Sequence, residues 1–129
     1  MTPLEDFAAW LKLQLLPADY SYSRGMWVDS TELATRRVVS YRADGGGAPR
    51  EVHRTQRVRL LILGPQKSRA TAGLVPAIEA DANAILDRIM GGDFKYGCLT
   101  QIRALGDIMG PGYTTEDRCW YEINFELTT

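Results

Sequence analysis

Residues Gly106 to Thr129 read GDIMGPGYTTEDRCWYEINFELTT, and the reading of this stretch decides the fold. From Arg118 onward the chain alternates: Cys119, Tyr121, Ile123, Phe125 and Leu127 share one face, while Arg118, Glu122, Asn124 and Glu126 share the other. Successive side chains of an extended chain point to opposite sides, so period two over this length predicts a strand with one buried face. Trp120 breaks the pattern by falling on the charged face, where burial within the same domain does not explain it. An indole among carboxylates points to contact with a partner. Upstream, Gly110, Pro111 and Gly112 are turn formers. The spacing therefore predicts a closing hairpin, with strands at about 98–107 and 118–127 joined through Pro111. That pairing sets Cys119 opposite a residue near Ala104, well away from Cys98, so the two cysteines are expected to be reduced core thiols rather than a disulfide.

Two helical stripes precede this hairpin. Thr2, Pro3 and Glu5 resemble a capped helix start, and Leu4, Phe7, Ala8, Leu11 and Leu15 recur at helical spacing up to Pro17. Trp10 and Leu13 widen the apolar face of that helix and are expected in the core. Leu74, Ile78, Ala82, Ile85 and Ile89 give a second stripe, which must begin near Val75 for Pro76 to lie in its first turn and which ends at Gly91 and Gly92. Residues 17–32 read as a loop with a short strand near 26–29, and Tyr20, Tyr22, Met26 and Trp27 are expected to tuck over a sheet edge.

Between the helices lies a basic arm. A strand from about Ala34 to Arg42 meets ADGGGAP at 43–49, and a return strand runs from about Glu51 to Leu63, turning apolar in RVRLLILG. Gly45, Gly46 and Gly47 beside Pro49 cannot comfortably continue a strand and mark a flexible tip. The fold expected from this order is α+β: one domain over 1–129, with a mostly antiparallel four- to five-stranded sheet built from two hairpins and packed against two α-helices. The hairpin over about 36–59 forms its flexible arm.

Composition bounds the function. With 129 residues, of which 45% are hydrophobic, the chain suits one domain with a genuine core. No run approaches the roughly 18 apolar residues of a membrane span, and no export signal is readable at the N-terminus, so a soluble protein made in the cytoplasm and without membrane contact is expected. The net charge of −1 is unevenly spread. Arg36, Arg37, Arg42, Arg50, Arg54, Arg57 and Arg59 face only Asp44 and Glu51 in the arm, whereas Asp107, Glu116, Asp117, Glu122 and Glu126 face only Arg118 near the C-terminus. These are either two solvated faces of opposite sign or a self-complementary pair, basic on one copy and acidic on the next, and a heterologous contact of that kind that closes makes a ring.

The sequence carries no catalytic frame. His53 is the sole histidine and lies in the arm without a framed nucleophile, two separated cysteines lack metal-ligand spacing, and the 45–47 glycines lack the lysine and helix of a phosphate loop. No catalytic, metal or cofactor site is expected, and the protein is read as a non-enzyme. Arginines on a hairpin can bind phosphates without reading sequence, which keeps a non-specific nucleic-acid-binding module as an alternative, although a pI near 5.8 is unlike a dedicated binder.

The N-terminal helix, the glycine-tipped basic hairpin, the VPAIEADANAILDRI helix and the closing hairpin together resemble the tail terminator and minor capsid proteins of long-tailed, siphovirus-type bacteriophages. The residue-level likeness is concentrated in Ala104 to Leu127, in Gly106, Gly110, Pro111 and Gly112 followed by Arg118, Trp120, Tyr121, Asn124 and Phe125. The resemblance implies a virion protein of the tail-neck region, assembled in the bacterial host cytoplasm as a hexameric ring on the last tail-tube ring. It would stop tube polymerisation at the length set by the tape-measure protein and present a surface for the head-tail connector. DNA would pass transiently through the channel. A neighbouring neck or head-tail completion protein is the alternative within the virion. The residues singled out for subunit or partner contact are Arg36, Arg37, Arg42, Arg50, Arg54, Arg57, Arg59, Asp107, Glu116, Asp117, Trp120, Glu122 and Glu126, with Trp27 and Trp10 as further apolar anchors.

Overall fold

The computed structural model describes residues 3–14, 20–25, 29–43, 55–90, 99 and 101–128. Two helices, α1 (Pro3–Gln14) and α2 (Leu74–Met90), accompany six strands: β1 (Tyr20–Arg24), β2 (Arg37–Ala43), β3 (Thr55–Leu63), β4 (Gln101–Ala104), β5 (Met109–Tyr113) and β6 (Cys119–Thr128). The fold is α+β, as the hydrophobic periods imply, but its sheet is mixed. The strand order is β1-β2-β3-β6-β4, with β5 also on β6, and β1 runs parallel to β2 while every other pairing is antiparallel.

β6 is the hub. It pairs with β3 from Thr55↔Thr128 to Leu63↔Trp120. Its other edge is shared, with β4 opposite the C-terminal half and β5 opposite the N-terminal half. Its burial alternates without a break, and Cys119, Tyr121, Ile123, Phe125 and Leu127 are all buried. These residues join Val58, Leu60 and Ile62 of β3, Val39 and Tyr41 of β2, and the stripes of both helices in one cluster. The Phe7 ring of α1 lies 5.6 Å from that of Phe125. Both helices therefore cover the same face of the sheet, and Trp10 is core, as its place beside the α1 stripe suggests, and is not exposed as a partner anchor.

Three local expectations are corrected. The first described strand is 20–24, inside the stretch read as a loop, while Met26, Trp27 and Val28 of the strand expected near 26–29 lie outside the described residues. A parallel neighbour needs a crossover, and its described part carries a 3₁₀ turn at Thr31–Leu33, with β2 starting at Arg37. Secondly, the Gly110-Pro111-Gly112 tract is not the hairpin loop. It lies within β5 at a register irregularity between Met109 and Gly112, with a cis Gly110–Pro111 bond. Proline has no N–H to give a ladder and is accommodated in a sheet at edges or bulges. The turn falls instead at Thr114–Arg118, where Asp117 N–H donates to Thr114 O at 2.9 Å and Asp117 takes φ 56°. Thirdly, Cys119 consequently faces Tyr113, and it is Phe125 that faces Ala104. Cys119 is a buried free thiol, while Cys98 lies outside the described residues.

Gly64, just past β3, is a point of close approach. A Cβ there would sit 2.9 Å from Cys119 Sγ, 3.1 Å from Ser68 Oγ and 3.2 Å from Ile78 Cγ1. The packing makes two expectations measurable by urea unfolding. Phe125→Ala removes a fully buried ring between sheet and α1 and is expected to cost about 3–5 kcal/mol. Gly64→Ala is expected to destabilise by roughly 1–3 kcal/mol through overpacking.

Candidate functional site

The other face of the sheet carries no helix among the described residues, and one buried side chain closes its end. Arg118 is fully buried. Its Nε and Nη2 donate to Asp29 Oδ2 and Oδ1, each at 2.9 Å, and Nη1 donates to the carbonyls of Arg36 at 2.7 Å and Gly64 at 2.9 Å. Nη2 also donates to Leu33 O. Gln66 Nε2 donates to Asp29 at 3.0 Å, completing the cluster. A guanidinium taken out of water needs donors satisfied in the plane of its fork, and two carboxylate oxygens plus three carbonyls meet that need. The Arg118 hydrogen bonds hold the Asp29 carboxyl below the usual carboxylate range, against the opposing effect of partial burial. Alternation alone places Arg118 on the solvent side of β6. The loop 29–36 folding over that end of the strand turns the position into an interior one.

Strand register orders the open face. Val38, Leu63 and Trp120 are cross-strand neighbours at one end, followed by Ser40, Leu61 and Glu122, then Arg42, Arg59 and Asn124. The last charged row is Arg57, Glu126 and Arg103. The rows are thus apolar near the Arg118 cluster, where Val38 and Leu63 are buried, and arginine-rich at the other end. Its acids have in-chain partners, with Glu122 Oε1 3.5 Å from Arg59 Nε and Glu126 Oε1 3.1 Å from Arg103 Nη2. The carboxylate side chains are 18% and 20% exposed against 40% and 61% for their arginines, so the guanidiniums stand above the carboxylates.

The residues singled out from the sequence divide into groups. Arg42, Arg57, Arg59, Trp120, Glu122 and Glu126 share the open face. Trp120 also has an in-chain contact that alternation does not reveal. It is half-buried and its indole covers Gly112 of β5, where any Cβ would overlap the ring. Arg36 and Arg37 do not join this face. Arg36 Nε donates to Ser21 Oγ at 3.1 Å. Arg37 lies 3.3 Å from Asp81 Oδ2 of α2, where Tyr20 O–H also donates at 2.8 Å, so it ties the helix to the sheet. Burial and the Asp81 acceptor push the Tyr20 hydroxyl well above its ordinary pKa. Glu116 and Asp117 form the β5–β6 turn, where Asp117 lies 3.9 Å from Arg69, and Asp107 caps Ile108 N–H at 2.8 Å in an exposed loop. Arg50, Arg54, His53, Gly45, Gly46, Gly47 and Trp27 lie outside the described residues. Arg118 and Asp29 were missed. An arginine placed immediately before a continuous apolar alternation is the only sequence signal for them.

Chemically, this arrangement offers a surface of graded polarity. A cavity of about 550 Å³ lies between the C-terminal end of α2 and β4, lined by Leu86, Ile89, Met90, Ile102 and Leu105 among others. Among the described residues there is no group of three or more His, Cys, Asp or Glu placed to hold a metal ion, and no helix is long and apolar enough to cross a membrane.

A family model for phage tail termination proteins matches residues 1–129, the whole of the chain. The chain belongs to the phage tail termination protein family. No curated protein matches it. As a member of that family it is a structural component of a phage tail, and its place is in the virion. The likeness noticed in Ala104 to Leu127 therefore extends over the full chain, and what this tail protein presents to other components is a surface.

The Arg118 cluster makes two expectations for the folded protein. Arg118→Lys keeps the charge but loses the fork, and a loss of about 3 kcal/mol is expected in urea unfolding. Asp29 has a depressed folded pKa, so its contribution is complete above the unfolded value of about 3.9 and is lost as pH falls through the folded value. The stability gap between the wild type and Asp29→Asn is expected to be constant from pH 7 to about pH 5 and to shrink below about pH 4. A gap that widens with acid would refute this assignment.

Proposed function

We propose that this family member caps the end of the tail tube as a ring, stops tube polymerisation and supplies the surface on which the head connector docks. The observation that carries the reading is the family match over residues 1–129. The open sheet face supports it, since a surface that carries no helix among the described residues suits lateral and axial contacts. Its apolar end offers the anchors: Leu61 and Trp120 are half-buried and Met109, opposite Glu122, is 46% exposed. Exposed ion pairs contribute only about 0–1 kcal/mol each, so closing a ring requires such apolar contacts in addition to charge.

In this reading the ring is a hexamer of heterologous contacts, assembled in the host cytoplasm and located at the tail-neck junction of the virion. The tail-tube protein lies on one side, the connector on the other, and the tape-measure protein sets when the ring is added. Arg42, Arg57, Arg59, Trp120, Glu122 and Glu126 contribute the open face. Asp107, Glu116 and Asp117 form its rim, and the arm with Arg50 and Arg54 and its tip at Gly45, Gly46 and Gly47 reaches a neighbour.

Electron microscopy of the purified protein mixed with tail tubes tests this directly, with capped, length-limited tubes expected. Trp120→Ala is expected to weaken capping at least tenfold in the protein concentration needed, while the far-UV circular dichroism of the subunit is retained. Capping unaffected by the substitution would remove Trp120 from the interface, and tubes that ignore the wild-type protein would overturn the termination reading.

A further inference from the structure

The Gly110-Pro111-Gly112 tract does not make the hairpin turn, and its two glycines answer to different constraints. Gly110 takes φ 136°, and a Cβ there would come 2.7 Å from Trp120 O and 2.9 Å from Tyr121 Cδ1. The tract therefore lies close against the β6 backbone. Pro111 fixes its own φ at about −65° and stiffens it. At Gly112 φ lies outside the left-handed region, so its backbone does not call for glycine. The obstacle there is the indole of Trp120, its cross-strand partner. A Cβ at 112 would overlap Cε2 and Cζ2 of that ring and sit 2.7 Å from Nε1. On its other side Trp120 pairs with Leu63 of β3, so the ring leans across β5.

We propose that this tract is a seat for Trp120: it holds the indole against β5 in one orientation, which makes Gly112 a positioning residue for the contact that Trp120 makes in tube capping. The proposal rests on the termination reading, in which Trp120 is an apolar anchor. Side chains on a strand choose among staggered rotamers and stand roughly perpendicular to the sheet. Residues directly opposite each other bring their Cβ atoms within about 5 Å, so any side chain at 112 would prop the ring away from β5. Glycine lets the ring lie over bare backbone and bury one side there. The part left accessible in this half-buried residue is then presented in a fixed place. A tryptophan held in this way joins an interface without ordering its rotamers, and ordering one such side chain otherwise weakens association by roughly two- to tenfold. Large, rigid aromatic anchors are the residues on which interfaces centre. In a ring the contact recurs in every copy, so a loss at one contact is multiplied on assembly. Aromatic cover of a strand glycine also supports a sheet, and the two roles part in what they predict: only a positioning role ties capping to the order of the ring.

The test compares the full-length wild type with Gly112→Ala, Trp120→Leu and the double variant Gly112→Ala/Trp120→Leu. Gly106→Ala is the control, because a Cβ at 106 meets nothing within 4 Å. The heteronuclear NOE of the Trp120 indole N–H, assigned by its loss in Trp120→Leu, reads ring order on the ps–ns timescale. Electron microscopy with tail tubes reads capping. In the wild type the indole N–H is expected to be as ordered as the β6 amides. Gly112→Ala is expected to release it and to raise the protein concentration needed for capping by about fivefold or more. In the Trp120→Leu background the same change is expected to shift capping by less than about twofold, since the two sites no longer couple. If Gly112→Ala alone does not fold, the double variant is expected to regain the fold, because the ring that blocks the new methyl is gone. The seat is overturned by an indole that stays ordered in Gly112→Ala, or by capping that is unchanged once the indole is released. It is equally overturned by a loss of capping or folding of the same size in the Trp120→Leu background, which would trace the need for glycine to the backbone, or by an equal loss in Gly106→Ala. Should the wild type not cap tubes, the termination reading falls, and the NOE comparison still decides whether Gly112 seats the indole.

Discussion

The buried guanidinium of Arg118 is the constraint on which the arrangement of the open face depends. Removing an arginine from water is costly, and the cost is tolerated here only because five acceptors converge on it: both oxygens of Asp29 and the carbonyls of Leu33, Arg36 and Gly64. Those acceptors belong to the crossover between β1 and β2, the start of β2 and the end of β3. A single side chain from the start of β6 thereby fixes three other segments relative to the hub strand. Because the acceptors are mostly backbone carbonyls, the cluster specifies chain path more than side-chain identity. It anchors the segment that leads into β2, the strand on which the parallel β1 lies.

On the open face the same economy of charge has a different outcome. Cross-strand pairing puts Glu122 beside Arg59 and Glu126 beside Arg103, so the acidity of the closing strand is largely spent within the chain. Shorter carboxylates lie under longer guanidinium groups, which can extend outward while keeping their stems against the sheet. The surface a partner meets is consequently more basic than a count along β6 suggests. Its apolar end and its arginine end are distinct.

Both helices, the core face of β6 and the pairing of β2 with β3 were legible in the sequence, the helices and β6 because each is written as a local period: Leu4, Phe7, Ala8 and Leu11 in α1, Ile78, Ala82, Ile85 and Ile89 in α2, and the odd positions from Cys119 to Leu127. Gly110-Pro111-Gly112 misled because turn formers also serve at a bulge, and only the pairing of β5 with β6 distinguishes the two uses. Trp120 misled in another way. Its ring is covered by a glycine on an adjacent strand, and a residue without a side chain leaves no mark in a hydrophobic pattern. Of the candidate surface, the open-face arginines were identifiable by type, but Arg37 was not separable from Arg42, since odd and even positions of β2 look alike until α2 supplies Asp81.

Sequence by itself determined the α+β class, the two helices, the buried face of β6 and the basic character of the arm, all of which follow from side-chain periodicity and charge along a single segment. Tertiary structure alone decided which charges are spent and which are presented. Whether Arg118 is solvated or buried, whether Glu126 is open or paired, and whether Trp120 is bare or backed by Gly112 each depend on a residue distant in the chain or on a neighbouring strand. Register sets those meetings, and register is a property of the assembled sheet that no single strand encodes.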